Sequence, residues 1–323
     1  MLSRTADHLF WMARYTERAE NTARMLDVNI QTALLPQSAS SAALLWRGML
    51  GISELQPQFD KHYGTLTAQS VLRFMVNDPA NDSSICSCLQ RARENARAVR
   101  GALTTEVWET INATWLELKN KLKDDLIERD PSQFFEWVKY RSHLSRGVMI
   151  GTMLKDEGFY FARLGTFLER ADNTARILDV KYHALAEQGL LEAAQDTDID
   201  HRMDFYHWAA ILRSVSAFEV YRKVYSDVIT PARVAELLIL RADMPRSLAN
   251  CVNEVVVNLA QVRNSHSAET ERRAGMFQAQ LHYGRIDDIL QTGLHAYLTT
   301  FLERINELGD RISRDFLVPL SAA

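Results

Sequence analysis

ERAENTARMLDV (residues 17–28) and ERADNTARILDV (residues 169–180) face each other across a constant offset, with ten of the twelve positions identical. The exceptions are Glu20 against Asp172 and Met25 against Ile177. The same offset pairs Met1-Leu2 with Met153-Leu154, so the likeness needs no gap over residues 1–28 and 153–180. This is an internal repeat, and the letters it keeps are largely charged.

At 100° per residue each copy divides into two faces. Met12, Tyr15, Ala19, Thr22, Ala23 and Leu26 form an apolar stripe, and Leu164, Phe167, Ala171, Thr174, Ala175 and Leu178 form its counterpart. Alanines at the centre of both stripes permit close approach of another helix. Opposite them lie Glu17, Glu20, Asn21, Arg24 and Asp27, matched by Glu169, Asp172, Asn173, Arg176 and Asp179. Glu20–Arg24 and Asp172–Arg176 are spaced four apart, as neighbours on a helix surface are.

Such pairs on a solvated face contribute only a few tenths of a kcal/mol, about 0.3–0.5 each. Surface residues are then free to drift, because exchanging them costs little. The positions just upstream have drifted: Trp11 stands against Arg163 and Arg14 against Thr166. Glu17-Arg18 and Glu169-Arg170, Asn21 and Asn173, Arg24 and Arg176 have not. Matching charges in both copies point to a shared polar site or to a buried network between helices. Splitting a buried ion pair costs roughly 3–5 kcal/mol, enough by itself to hold its members fixed.

Composition limits what surrounds the repeat. The 323 residues are 47% hydrophobic and 24% charged, with 13 glycines and 7 prolines. Few punctuating residues favour long helices. A net charge of -4 argues against a general nucleic-acid binder, which needs a basic face. Three cysteines, two of them in Cys86-Ser-Cys88, offer no disulfide framework. MLSRTADHLF has a histidine and an acid where a signal peptide needs an apolar run, and no stretch is apolar enough to span a bilayer. The expectation is a cytoplasmic all-α chain, one multi-helix bundle over residues 1–323 built around two pseudo-equivalent long helices.

Periodicity and breaks predict helices over residues 3–34 (stopped by Pro36), 40–50, 65–76, from an Asn81 or Asp82 cap to about 103, and from a Thr104 or Thr105 cap onward. Further helices are predicted after an Asp130-Pro131-Ser132 break to about 157 and over 159–188, with Gly158 as the divider. EQGLLEAAQDTDID reads as a linker, followed by helices near 200–226, 231–241, 245–265 and 279–315, about ten in all. Pro231 and Pro245 are placed in first turns, where proline is accepted. Period-two alternation with turn dipeptides is missing, so strands are not expected.

The doubled Glu-Arg helix resembles the bacterial alpha-E family, an all-helical domain named for its Glu-Arg motif. ARENARAVRGALTTEVWETIN (92–112), GTMLKDEGFYFARLGTFLERAD (151–172), ILRSVSAFEVYRKVY (211–225) and RADMPRSL (241–248) are similar to segments of that family, in the expected order. The chain departs from it at Thr166, where the second motif usually has arginine, and at Ala13, where the first usually has glycine. The resemblance implies company rather than a reaction. Genes of the family accompany or fuse with a circularly permuted ATP-grasp protein, often with a transglutaminase-like protease. An accessory or partner protein of an ATP-grasp-type amide (peptide) ligase system is therefore the first expectation, binding the ligase or its peptide through the paired Glu-Arg helices. An enzyme with an acid–base and anion site on those helices, or a purely structural scaffold, are the alternatives.

Other motifs carry less. Phosphate-cradling glycine loops, a Gly-x-Ser-x-Gly elbow and His-Glu-x-x-His are missing. Asp196, Asp198 and Asp200 imitate the start of a calcium loop, but His201 and His207 stand where glycine and glutamate are needed. Glu17 with Glu20 and Glu169 with Asp172 place four carboxylates on two helices, as in di-metal bundles, yet the histidines of such sites are lacking and Arg24 and Arg176 neutralise the acids. No metal or cofactor is expected. The polar site is assigned to Glu17, Arg18, Glu20, Asn21, Arg24, Glu169, Arg170, Asp172, Asn173 and Arg176. Arg93, Glu94, Asn95 and Arg97, which echo the repeat's letters, and Arg213 and Glu219, expected to line the same interior, are secondary candidates. Trp108 and Trp115 are read as core.

Overall fold

The computed structural model describes residues 1–34, 39–124, 126–187 and 198–317. All regular structure among these residues is helical. Sixteen α-helices follow in order: α1 (Ser3–Ala33), α2 (Ala39–Ile52), α3 (Gln56–His62), α4 (Ala68–Val76), α5 (Ile85–Ala98), α6 (Thr105–Lys123), α7 (Leu126–Arg129), α8 (Pro131–Thr152), α9 (Glu157–Glu187), α10 (Asp198–Ser214), α11 (Phe218–Tyr225), α12 (Pro231–Ile239), α13 (Leu248–Gln261), α14 (Ala268–His282), α15 (Ile286–Thr292) and α16 (Leu294–Ile312).

Side-chain caps set many of the starts. Thr67, Ser84, Thr104, Asp130, Thr230 and Ser247 each accept a hydrogen bond from the backbone N–H three residues on. The expected cap of Asn81 or Asp82 is corrected to Ser84. Buried Asn81 instead holds the preceding loop, donating to the Phe74 carbonyl at 3.1 Å and accepting from the Ser83 N–H at 2.9 Å. Pro57 lies in the first turn of α3, a short helix between those expected over 40–50 and 65–76. Pro245 lies before α13, whose first turn starts at Leu248 behind Ser247. The divider before the second long helix is Met153–Asp156, since Gly158 already sits inside α9, where the Asp156 carboxylate accepts its N–H. The helix expected over 200–226 breaks at Ser216, which adopts a left-handed φ of 55°. Gly293, at φ 96°, separates α15 from α16 within the span expected as one helix. The linker string lies mostly outside the described residues, as does Asp196.

Helices α1 and α9 form the axis of the molecule and pack more extensively than any other pair. They run in the same direction with matched register: Gly158 lies against Leu9, Gly165 against Phe10, and Arg170 against Glu17. Around them the two halves of the chain are arranged alike. α1 packs on α5 and α8, with α6 behind them, and α9 packs on α13 and α16, with α14 behind. One hydrophobic cluster extends from Ala6 to Leu317, and a second gathers Leu9, Met12, Val107, Ile111, Met149 and Ala162. Over residues 5–30 of α1 and 158–180 of α9 no residue is exposed, so the polar half of each repeat is also inside. Trp108 and Trp115 are half-buried against these clusters.

Candidate functional site

The charged residues of the two copies meet between α1 and α9 in a reciprocal cross. Arg170 Nε and Nη2 donate to the two carboxylate oxygens of Glu17 at 3.0 and 3.1 Å. Arg18 Nε and Nη2 donate to those of Glu169 at 2.5 and 3.0 Å. Each Glu-Arg pair thus supplies an acceptor and a fork to the other, in the bidentate geometry that suits guanidinium and carboxylate. Glu17 is 1% exposed and Glu169 5%.

Further arginines close around the cross. Arg14 donates to Glu169 at 2.8 Å while its guanidinium lies over the Trp11 ring at 5.0 Å. Arg146 from α8 reaches Glu17 at 2.7 Å and Glu20 at 2.5 Å. Arg246, in the turn before α13, donates to Glu17 at 2.9 Å, to Asn21 at 2.8 Å and to Glu20 at 2.5 Å. Glu20 accepts also from Arg24 at 2.7 Å and from the Ser142 hydroxyl at 2.7 Å. Sequence reasoning did not single out Arg146 and Arg246. Arg246 stood inside the RADMPRSL segment, but its role depends on a turn that brings it across the molecule, and no helical spacing reports that.

Burial alone would raise the carboxyl pKa values, and the arginines overturn it. Arg170, Arg246 and Arg146 hold Glu17 below the ordinary range, and Arg246, Arg146 and Arg24 hold Glu20 far below it. Glu169, despite complete burial, is held at about 2 by Arg18 and Arg14. Asp172 goes the other way: burial raises it, and the Arg176 guanidinium 2.8 Å away only partly opposes the rise. One Asp172 oxygen, the Asn21 amide nitrogen, Arg24 Nε and the Thr174 hydroxyl are buried without a hydrogen-bond partner. The cavity beside Glu17, lined by Arg146, Thr16, Ser145, Met149 and Thr166, has a volume near 20 Å³. That is room for about one water molecule.

The secondary candidates lie elsewhere. Arg93 donates to Asn112 at 2.8 Å and to Glu94 at 2.6 Å, Asn95 bonds His8 at 2.7 Å, and Arg97 is exposed beside Glu94. Arg213 and Glu219 do not line the repeat interior: both are exposed, with Arg213 over the Phe218 ring at 4.8 Å. Asn173 is buried, and Arg176 bridges Asp172 and Glu54. Cys86 and Cys88 are thiols pushed up to about 12 by burial, so neither supplies a thiolate at neutral pH. Among the described residues no three acidic, histidine or cysteine side chains are grouped to hold a metal ion, and no helix is long and apolar enough to cross a membrane.

An all-helical molecule organised on two crossed Glu-Arg pairs defines its class. The chain belongs to the alpha-E family, described as "a predicted alpha-helical domain with a conserved ER motif", whose profile matches residues 1–317. An uncharacterized protein of Mycobacterium bovis is 25% identical over 328 residues, and one of Mycobacterium tuberculosis is 24% identical over the same length. Each alignment covers 94% of this chain but 35% of the relative, so the chain spans about a third of the length of these proteins. No solved structure matches it.

Proposed function

We propose that the chain is an accessory partner in an ATP-grasp-type amide ligase system, and that its paired Glu-Arg helices act as the lock of the helical scaffold rather than as a catalytic centre. The observation that carries this reading is the enclosure of the cross. A general acid or base needs reach to substrate and a pKa near the working pH. Glu169 sits at about 2, and the cavity at Glu17 admits no more than a water. Carboxylates so placed support structure, and recognition falls to the outer surface.

The partner class comes from the family resemblance. In the mycobacterial relatives the corresponding region belongs to a chain about three times as long. The transglutaminase-like protease and a peptide substrate are further members of the proposed system. To test the reading, the tagged chain is coexpressed with the ATP-grasp protein of its own genome and passed over a sizing column. Co-elution in equal amounts is expected. Separate elution of two folded proteins at micromolar concentration overturns the partnership.

A further inference from the structure

Outside the buried cross, four arginines collect on the surface of α14 and α16. The antiparallel pair α14 and α16 leaves a groove of about 270 Å³, lined by Arg272, Arg273, Arg304 and Arg311 with Glu307 as its lone carboxylate. The chain as a whole carries a net charge of -4, so this groove is locally opposite in sign. We propose that it is a docking site for a short acidic peptide segment bearing an apolar side chain, supplied by a protein partner. The inference deepens the accessory reading by naming what the outer surface recognises, and it rests on that reading only for the source of the peptide.

The charge balance inside the groove is the first support. Arg273 and Arg311 share the Glu307 carboxylate, at 2.7 and 3.0 Å, and Arg273 also donates to Glu269 at 2.8 Å. Arg304 meets only the neutral amide of Gln280. Arg272 forks onto Glu269 at 2.8 Å, yet is more than half exposed. Four guanidinium groups against the two carboxylates of Glu307 and Glu269, with Arg304 meeting neither, leave donors turned to solvent in the planar geometry that captures carboxylates.

The floor supplies the second support. Phe277 and Leu308 are buried beneath the arginines, Phe277 rests against Phe301 with ring centroids 4.9 Å apart, and Met276 is 52% exposed on the wall. Methionine adapts to varied apolar partners. Bare phosphate or a plain polyanion would use the rim alone, whereas an acidic segment with a leucine or phenylalanine at its centre uses rim and floor together. Arg304 and Arg311 lie seven residues apart on α16, a run of about 11 Å along the helix. That length suits three or four extended residues. The volume falls below the roughly 300–1,000 Å³ of pockets that engulf small molecules.

The test uses fluorescein-labelled acetyl-Glu-Asp-Phe-Glu-Asp, titrated with the whole chain and read by fluorescence anisotropy. Saturable binding is expected, weakening with salt and falling at least about tenfold in an Arg272→Glu, Arg304→Glu variant whose thermal melt is unchanged. Arg233→Glu, an exposed reversal on α12, is expected to leave binding intact. The proposal is overturned by failure of the wild type to saturate, by equal affinity in the groove variant, or by an equal loss in Arg233→Glu. Pentaglutamate binding as tightly as the probe removes the apolar half of the proposal. An oligothymidylate of equal charge competing as well removes the peptide assignment. The titration contains no ligase, so it and the coexpression test fail independently.

Discussion

Glu20 and Asp172 hold equivalent places in two nearly identical helices, and their surroundings differ in kind. Around Glu20, α8 and the turn before α13 deliver Arg146, Arg246 and Ser142 to join Arg24. Around Asp172 Arg176 alone forms a hydrogen-bonded pair among the described residues, one carboxylate oxygen has no partner, and burial raises the acid's pKa. The neighbouring cavity, between α1, α9 and α16, is about 130 Å³, against about 20 Å³ beside Glu17. Two stretches alike at ten of twelve positions thus make one half of the axis saturated with charge partners and the other under-supplied. What decides the difference is the second layer, where α8 brings an arginine and α16 does not.

The comparison breaks hardest at the saturated half. In Glu20→Gln the guanidinium groups of Arg24, Arg146 and Arg246 lose their common counter-charge inside the protein. Breaking a buried pair of this kind costs about 3–5 kcal/mol. Urea denaturation is expected to show at least that loss, or no cooperative transition. An unfolding midpoint within error of the wild type would mean that the network does not lock the axis. Glu17→Gln is expected to behave likewise, since Arg146, Arg170 and Arg246 converge on it.

The crossing itself gives a second, smaller contrast. A Cβ added at Gly165 would lie 2.2 Å from the Phe10 carbonyl oxygen, and backbone cannot step aside as a flexible side chain can. Its counterpart Ala13 is accommodated beside the small cavity shared with Val107, Ile111 and Met149. Gly165→Ala is therefore expected to cost about 1–3 kcal/mol through forced separation of the helices, in spite of alanine's better helix propensity. Ala13→Gly is expected to cost about 0.5–1 kcal/mol, the usual helix penalty for glycine. Equal costs in calorimetry would show that the two sides of the crossing are equivalent after all.

Much of this was legible in the letters. Repetition of Glu-Arg, with the neighbouring positions drifted, isolated the residues that do converge, and the scarcity of glycine and proline announced long helices. The burial of the polar face was not legible. A helical wheel separates polar from apolar, but whether the polar side meets water depends on what the rest of the chain lays over it. Arg146 and Arg246 escaped for the same reason, each being one arginine among many until α8 and the turn before α13 carry it to Glu17. The cap assigned to Asn81 or Asp82, the divider Gly158 and Pro245 were misplaced by a turn or less, because several polar or punctuating residues competed for each boundary and only packing chooses among them. Arg213 and Glu219 were expected to line the repeat interior, and both are exposed instead.

The smallest expected effect is the one that sharpens the contrast most. Asp172→Asn removes an ionised group that burial penalises, while Arg176 keeps Glu54 as a partner. At pH 7 the variant is expected to be as stable as the wild type or slightly more so, within about 1 kcal/mol. The pH dependence follows from the opposite shifts of the two acids. Glu169, held at about 2, contributes stability that is complete above its ordinary value of 4.5 and is lost as the pH falls through about 2. Asp172 is raised, so its ionised form carries a cost above its folded pKa, and that cost disappears as acid protonates it. Any advantage of Asp172→Asn should therefore be greatest at neutral pH and shrink on acidification, whereas the shared loss through Glu169 should remain in both proteins. Urea titrations at several pH values between about 3 and 7 read the difference directly. A penalty for Asp172→Asn at pH 7 as large as that for Glu20→Gln would mean that the second half of the axis is as tightly held as the first. The unpartnered oxygen would then be part of the lock, and the asymmetry would lie in side-chain geometry alone.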